Sequence, residues 1–102
     1  MNAAPASSNA ETLARLARRY GWDMGAQEAR DRPAKLILRV MDIGVWEDML
    51  ALEAVLGKDF LKDTMAAATA GSLRPKSWNF WAIRLGLYRD GAPPPMPVRR
   101  LG

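Results

Sequence analysis

The chain has 102 residues, with 15 Lys and Arg against 11 Asp and Glu for a net charge of +4, and contains neither Cys nor His. That length holds one hydrophobic core. The missing Cys and His exclude disulfides, thiolate or imidazole metal sites and every nucleophile–histidine pair.

No apolar run approaches the ~20 residues of a membrane span. The opening MNAAPASSNA also lacks the basic-then-apolar order of a secretory signal. A cytoplasmic location, with no membrane partner, is the expectation. Charge is arranged in three blocks: seven basic against four acidic residues in 1–39, two against six in 40–70, and six against one in 71–102. A basic C-terminal third suits an acidic partner, protein or nucleic acid.

Residues 1–7 are small and polar and are expected to be unstructured. Ser8 and Glu11 have capping-box spacing, and Leu13, Leu16, Ala17 and Tyr20 form the apolar stripe of a helix that Gly21 ends. Arg15, Arg18 and Arg19 occupy its other side. Between 21 and 31, Trp22 reads as an anchor folded onto the core, and Gln27 to Arg30 as a helical turn.

Pro33 suits the first turn of a helix. From Leu36 through Ile43 the apolar arc is so wide that the helix should be central, with Gly44 as the left-handed residue that closes it. Val45, Met49, Leu52 and Leu56 give the next helix, with Glu47, Asp48 and Glu53 on its solvent face and Gly57 at its end. Phe60, Leu61, Thr64, Met65 and Ala68 mark a short helix that Asp59 could cap. Pro75 opens the last one, running through Trp78 and Trp81 towards Tyr88. The segment GAPPPMPVRRLG, residues 91–102, favours extended polyproline geometry. No alternation of the strand kind persists. The expected fold is all-α: about five short helices in one domain over residues 8–90, with a Pro/Arg-rich tail at 91–102.

Chemistry-bearing patterns are few. Phosphate-cradling glycine loops are absent. The carboxylates Glu47, Asp48, Glu53, Asp59 and Asp63 sit on amphipathic helices, where a solvated face explains them; neither catalysis nor a cofactor is implied.

Two binding readings stand. In the first, the last helix is apolar on two sides: Trp78, Trp81, Leu85 and Tyr88 on one, Phe80, Ile83 and Leu87 on the other. A surface helix of a small bundle buries one face, so either this helix threads the centre of the bundle or its second face meets another chain. Trp78, Trp81, Arg84, Tyr88 and Arg89 then form the contact face, with Met96, Arg99 and Arg100 on the tail lying along a partner groove. A second copy of the chain is a further candidate partner. The alternative is a helix-turn-helix DNA-binding protein, with Lys58–Thr69 and Pro75–Tyr88 as its helices. Arg74, Lys76, Ser77, Asn79 and Arg84 would then contact bases and phosphates.

The segments KLILRVMDIG, LGKDFLKDTM and LRPKSWNFWAIRLGL resemble a small helical domain of bacteria and archaea. That pattern is an apolar-Arg-Val-Leu helix ending in Gly, then Trp or Asp-Leu, a Tyr-Gly-x-x-x-Ile helix, a Leu-Ser-containing turn and a Phe-Trp helix. Its positions fall here on Ile37, Arg39, Val40, Gly44, Trp46, Leu56, Gly57, Leu61, Leu73, Phe80 and Trp81. Leu56 departs from the Tyr usual in the pattern, as does the Arg-rich N-terminal helix. Members of that family look like the antitoxin-side partners of nucleotidyltransferase-like toxins of the abortive-infection type. The resemblance implies a non-enzymatic module that binds and restrains such a toxin, with DNA autoregulation as an added role. It carries over no assigned functional residue.

Overall fold

A computed structural model describes residues 5–98. Among them lie six helices: α1 (Pro5–Tyr20), α2 (Ala26–Asp31), α3 (Pro33–Ile43), α4 (Trp46–Leu56), α5 (Lys58–Ala66) and α6 (Pro75–Arg84). There is no strand, only an isolated bridge between Arg89 and Ala92. The all-α bundle is as expected, α2 being the helical turn anticipated near Gln27. No helix among the described residues is long and apolar enough to cross a membrane. Of the segment 1–7, residues 1–4 lie outside the described ones. Helix α1 begins at Pro5, so Ser8 stands inside it and not at its cap; proline fits a first turn, where no amide partner is needed.

Helix α3 is the hub and touches each of the other five. Its Ile37, Leu38, Val40 and Met41 are all buried, which is what its wide apolar arc demands. Around it gather Leu16 and Tyr20 of α1, Leu52 of α4, Leu61 and Met65 of α5, and Trp78 and Trp81 of α6. Trp81 is the largest fully buried side chain.

None of helices α2 to α6 has a side-chain hydrogen bond from its own N-cap residue. At one end each of α1, α3, α4 and α6, partners come from another helix instead. At the C-terminus of α3, where carbonyls have no intrahelical donor, α6 supplies three: the Trp81 indole to Met41 O at 2.8 Å, and Ser77 Oγ at 3.1 Å and Arg74 Nη2 at 2.8 Å to Asp42 O. In return, Asp42 Oδ1 accepts from the Arg74 amide, which opens α6. Arg39 of α3 donates to the Tyr20 carbonyl at the end of α1. Tyr20 accepts from the Val45 amide at the start of α4 and donates to Asp48.

Several local expectations need correction. Asp48, expected on a solvent face, is buried and receives Tyr20 and Arg15, with Arg19 3.5 Å away. Burying a carboxylate is tolerated only with such partners. Gly44 is extended (φ −66, ψ 151), not left-handed. Glycine is needed there because a Cβ would lie 2.4 Å from Val40 O. Gly57 has a positive φ of 85 with ψ 156, a conformation open to glycine but not the left-handed helical one. Asp59 does not cap α5; Gly57 holds the N-cap position. Trp22 is 66% exposed, its ring covered by the Arg39 guanidinium 4.8 Å from the centroid.

Helix α6 stops at Arg84, short of Tyr88. Gly86 adopts φ 73, its amide bonds Ile83 O, and the Leu87 amide bonds Ala82 O at 2.8 Å. These two bonds form a Schellman stop, in which Leu87 turns back to pack on the core. A second reversal follows at Asp90-Gly91. Both residues have positive φ, and Arg89 and Ala92 exchange backbone hydrogen bonds of 2.9 and 3.0 Å. Two positive φ values inside a two-residue loop mark a tight primed turn. It sends the proline segment back against the bundle.

Candidate interaction surface

The two sides of α6 divide differently from the expected contact face. Trp78 and Trp81 are core residues, 5% and 0% exposed, and Leu85 is buried with them. In this fold Trp81 is sealed in the core and Trp78 is covered by the chain's own proline segment, whose Pro94 carbonyl it binds, so neither stands on the open contact face expected of it. The reason lies in α3: the Trp81 indole is the donor that the Met41 carbonyl needs. The outward side of α6 instead presents Phe80 and Ile83, 38% and 61% exposed.

Helix α4 completes this surface. Trp46, at its first turn and 47% exposed, meets Phe80 edge-on with centroids 6.0 Å apart. Phe80 in turn stands edge-on to buried Trp81 at 5.4 Å, so the exposed pair is continuous with the core. Such edge contacts suit the quadrupoles of aromatic rings and fix their orientation. Leu50, one helical turn beyond Trp46, extends the apolar strip.

Arg84 holds the strip in place. Its Nε and Nη2 donate to Glu53 Oε2 and Oε1 at 2.7 and 2.8 Å, a two-pronged pair, and its guanidinium stacks 4.9 Å from the Trp46 centroid. The planar guanidinium can do both at once, which an ammonium cannot. Glu53, expected on the solvent face, is thereby largely covered, its side chain 14% exposed. Trp46, Phe80, Ile83 and the Arg84–Glu53 pair thus make an exposed aromatic surface with one oriented cation.

Sequence reasoning identified Arg84 and the doubly apolar α6 but expected the buried side to be the open one, and it did not single out Trp46. The available signal was the strip Trp46, Leu50, Glu53 at i, i+4 and i+7, adjacent to the core stripe. Of the remaining contact candidates, Tyr88 is half-buried and donates to Asn79 Oδ1. Arg89 donates to the carbonyls of Gly86 and Tyr88, within its own loop. Met96 packs on the core of its own chain and not along a partner groove. Arg99 and Arg100 lie outside the described residues.

The residues of the helix-turn-helix alternative are largely committed to the fold. Ser77 is buried, and Arg74 is bound to Asp42 through its amide, Nε and Nη2. Asn79 accepts from Tyr88, and Arg84 is paired with Glu53. Lys76 is exposed at the start of α6.

A cleft of about 760 Å³ lies between the start of α3 and the 67–72 loop. Its Lys35, Arg39 and Asp42 are each held in an ion pair, with Glu28, Asp23 and Arg74 respectively. No group of three or more carboxylates converges among the described residues in a way that could hold a metal ion. Comparison with family models, with curated proteins and with solved structures finds no match for this chain.

Proposed function

We propose that this protein is a cytoplasmic, non-enzymatic interaction module, and that the Trp46–Phe80–Ile83 surface receives a protein partner. One observation carries the reading: Trp46, Phe80 and Ile83 are exposed side by side, with Trp46 set edge-on to Phe80 and stacked under the Arg84 guanidinium that Glu53 holds. Aromatic anchors with a stacked arginine at their centre are the residue types that dominate binding energy at protein interfaces. Loss of two or three such anchors removes most of an interface's affinity.

The antitoxin-like likeness of the sequence names a candidate partner, a nucleotidyltransferase-like toxin. The test is capture of the partner from the native host by the tagged full chain, against the Trp46→Ala/Phe80→Ala variant. A stoichiometric protein bound by the wild type and lost from the variant supports the proposal. Retention of duplex DNA alone, with affinity falling steeply as salt rises, would replace it with the DNA-binding reading.

A further inference from the structure

The tail is itself bound, and what holds it defines a site. After the Asp90-Gly91 turn, the chain runs back so that Pro94 O accepts from the Trp78 indole Nε1 at 2.7 Å. Met96 packs on the core beside it, and Leu87 and Met65 form the floor. Successive prolines fix φ and push each preceding residue towards extended geometry, so Pro93-Pro94-Pro95 presents a preformed polyproline rod. An indole N–H donating to a carbonyl of such a rod, with apolar side chains flanking it, is how aromatic grooves recognise proline-rich peptides. The groove is also not filled by the tail. A cavity of about 390 Å³ remains along it, lined by Lys62, Met65, Trp78 and Leu87 on one side and Pro94 and Pro97 on the other.

We propose that the groove between α5 and α6 is a polyproline-binding site, that residues 93–98 are its resident ligand, and that a proline-rich segment of a partner chain displaces them. The resident tail states the chemistry of the occupant: consecutive prolines, a carbonyl aimed at Trp78, and an apolar residue two positions later in the place of Met96. Displacement is graded, because a short tether keeps the tail at a high local concentration and so sets the threshold an incoming peptide must exceed. This site is separate from the Trp46–Phe80–Ile83 surface, since Trp78 and Phe80 point to different sides of α6.

The test uses the full chain and a full-length P93G/P94G/P95G variant, with the Trp78 indole N–H followed by nitrogen–proton correlation spectroscopy. The Trp81 indole N–H reports whether the core is intact. The probes are the heptapeptide APPPMPV and its control AGGGMGV. Faster exchange of the Trp78 indole proton is expected in the variant, with APPPMPV returning its resonance to the wild-type position. Binding to the variant should be about tenfold or more tighter than to the wild type, where the resident tail competes. The control should not bind. Trp78→Phe, which keeps the ring and removes the donor, should weaken the peptide several-fold.

A Trp78 resonance that APPPMPV does not move in a folded variant would overturn the proposal, as would equal binding of the two peptides. Concentration-dependent dimers of the wild type whose tails resist displacement would assign the groove to tail exchange between copies instead.

Discussion

The Tyr20 hydroxyl donates to Asp48 Oδ2 at 2.6 Å, joining the last residue of α1 to the first turn of α4. The hydrogen bond from Tyr20, followed by Arg15 and Arg19, holds the Asp48 carboxyl below its ordinary pKa against the opposing effect of burial. Burial, and then the bond to Asp48, raises the Tyr20 phenol above its own. For Asp48 the folded pKa lies below the unfolded value of about 3.9, so its contribution is complete above that pH and is lost as pH falls through the folded pKa. For Tyr20 the folded pKa lies above about 10, so its contribution is complete below that pH and is lost as pH rises through the folded value. Urea midpoints should therefore be level near neutrality and fall in both acid and alkali. Asp48→Asn should be less stable at neutral pH and show a shallower acid limb; the remaining slope is due to Asp23 and Asp42, whose carboxyls are also held low. Tyr20→Phe should flatten the alkaline limb. An acid limb unchanged in Asp48→Asn would dissociate the pair from acid stability.

Gly44 and Gly57 end neighbouring helices for different reasons. At Gly44 the backbone angle suits any residue, but a Cβ would meet the Val40 carbonyl at 2.4 Å. At Gly57 space is open, and the positive φ of 85 is the obstacle. Gly57→Ala should cost about 1–3 kcal/mol, and Gly57→Asn should recover little, because ψ 156 lies outside the left-handed helical region that Asn tolerates. Gly44→Ala should cost about as much or more, and Gly44→Asn should recover nothing. Thermal unfolding of the four variants checks both costs.

Two tryptophans make opposite predictions. Trp81→Phe leaves the buried Met41 carbonyl without its donor and opens a void, an expected loss of about 2–3 kcal/mol. Trp46→Ala removes a side chain that is 47% exposed and should cost about 1 kcal/mol or less while abolishing partner capture. A variant that loses stability and binding together at Trp46 would mark it as a structural residue.

The Arg84–Glu53 pair should show a coupling of about 1 kcal/mol in a double-mutant cycle, because both groups are largely covered and the geometry is two-pronged. The Lys62–Asp59 pair, whose carboxylate is 99% exposed, should show no coupling and no salt dependence worth measuring.

The sequence by itself determined the helices and several of their ends. Apolar spacing placed α3 at the centre, Pro33 and Pro75 marked the starts of α3 and α6, and Gly21, Gly44 and Gly57 the ends of α1, α3 and α4. These signals are local, because a residue's period along a helix is readable without knowing its neighbours in space. The Schellman stop at Gly86 and the Asp90-Gly91 turn were equally local, though the expected α6 ran through the first and the second went unread.

What polar groups do was decided only in three dimensions. Asp48 looks like any surface carboxylate until α1 delivers Tyr20 and Arg15 to it. Arg74 and Ser77 read as recognition-helix contacts in one dimension, yet in the fold they join Trp81 in capping the carbonyl end of α3. The choice between the two apolar sides of α6 followed from that capping, since an orphan carbonyl at Met41 draws the indole inward and leaves Phe80 and Ile83 outside with Trp46. The proline tail shows the same division: its extended form is written in its residues, but its seat on Trp78 depends on two reversals that bring residues sixteen positions apart into hydrogen-bonding distance.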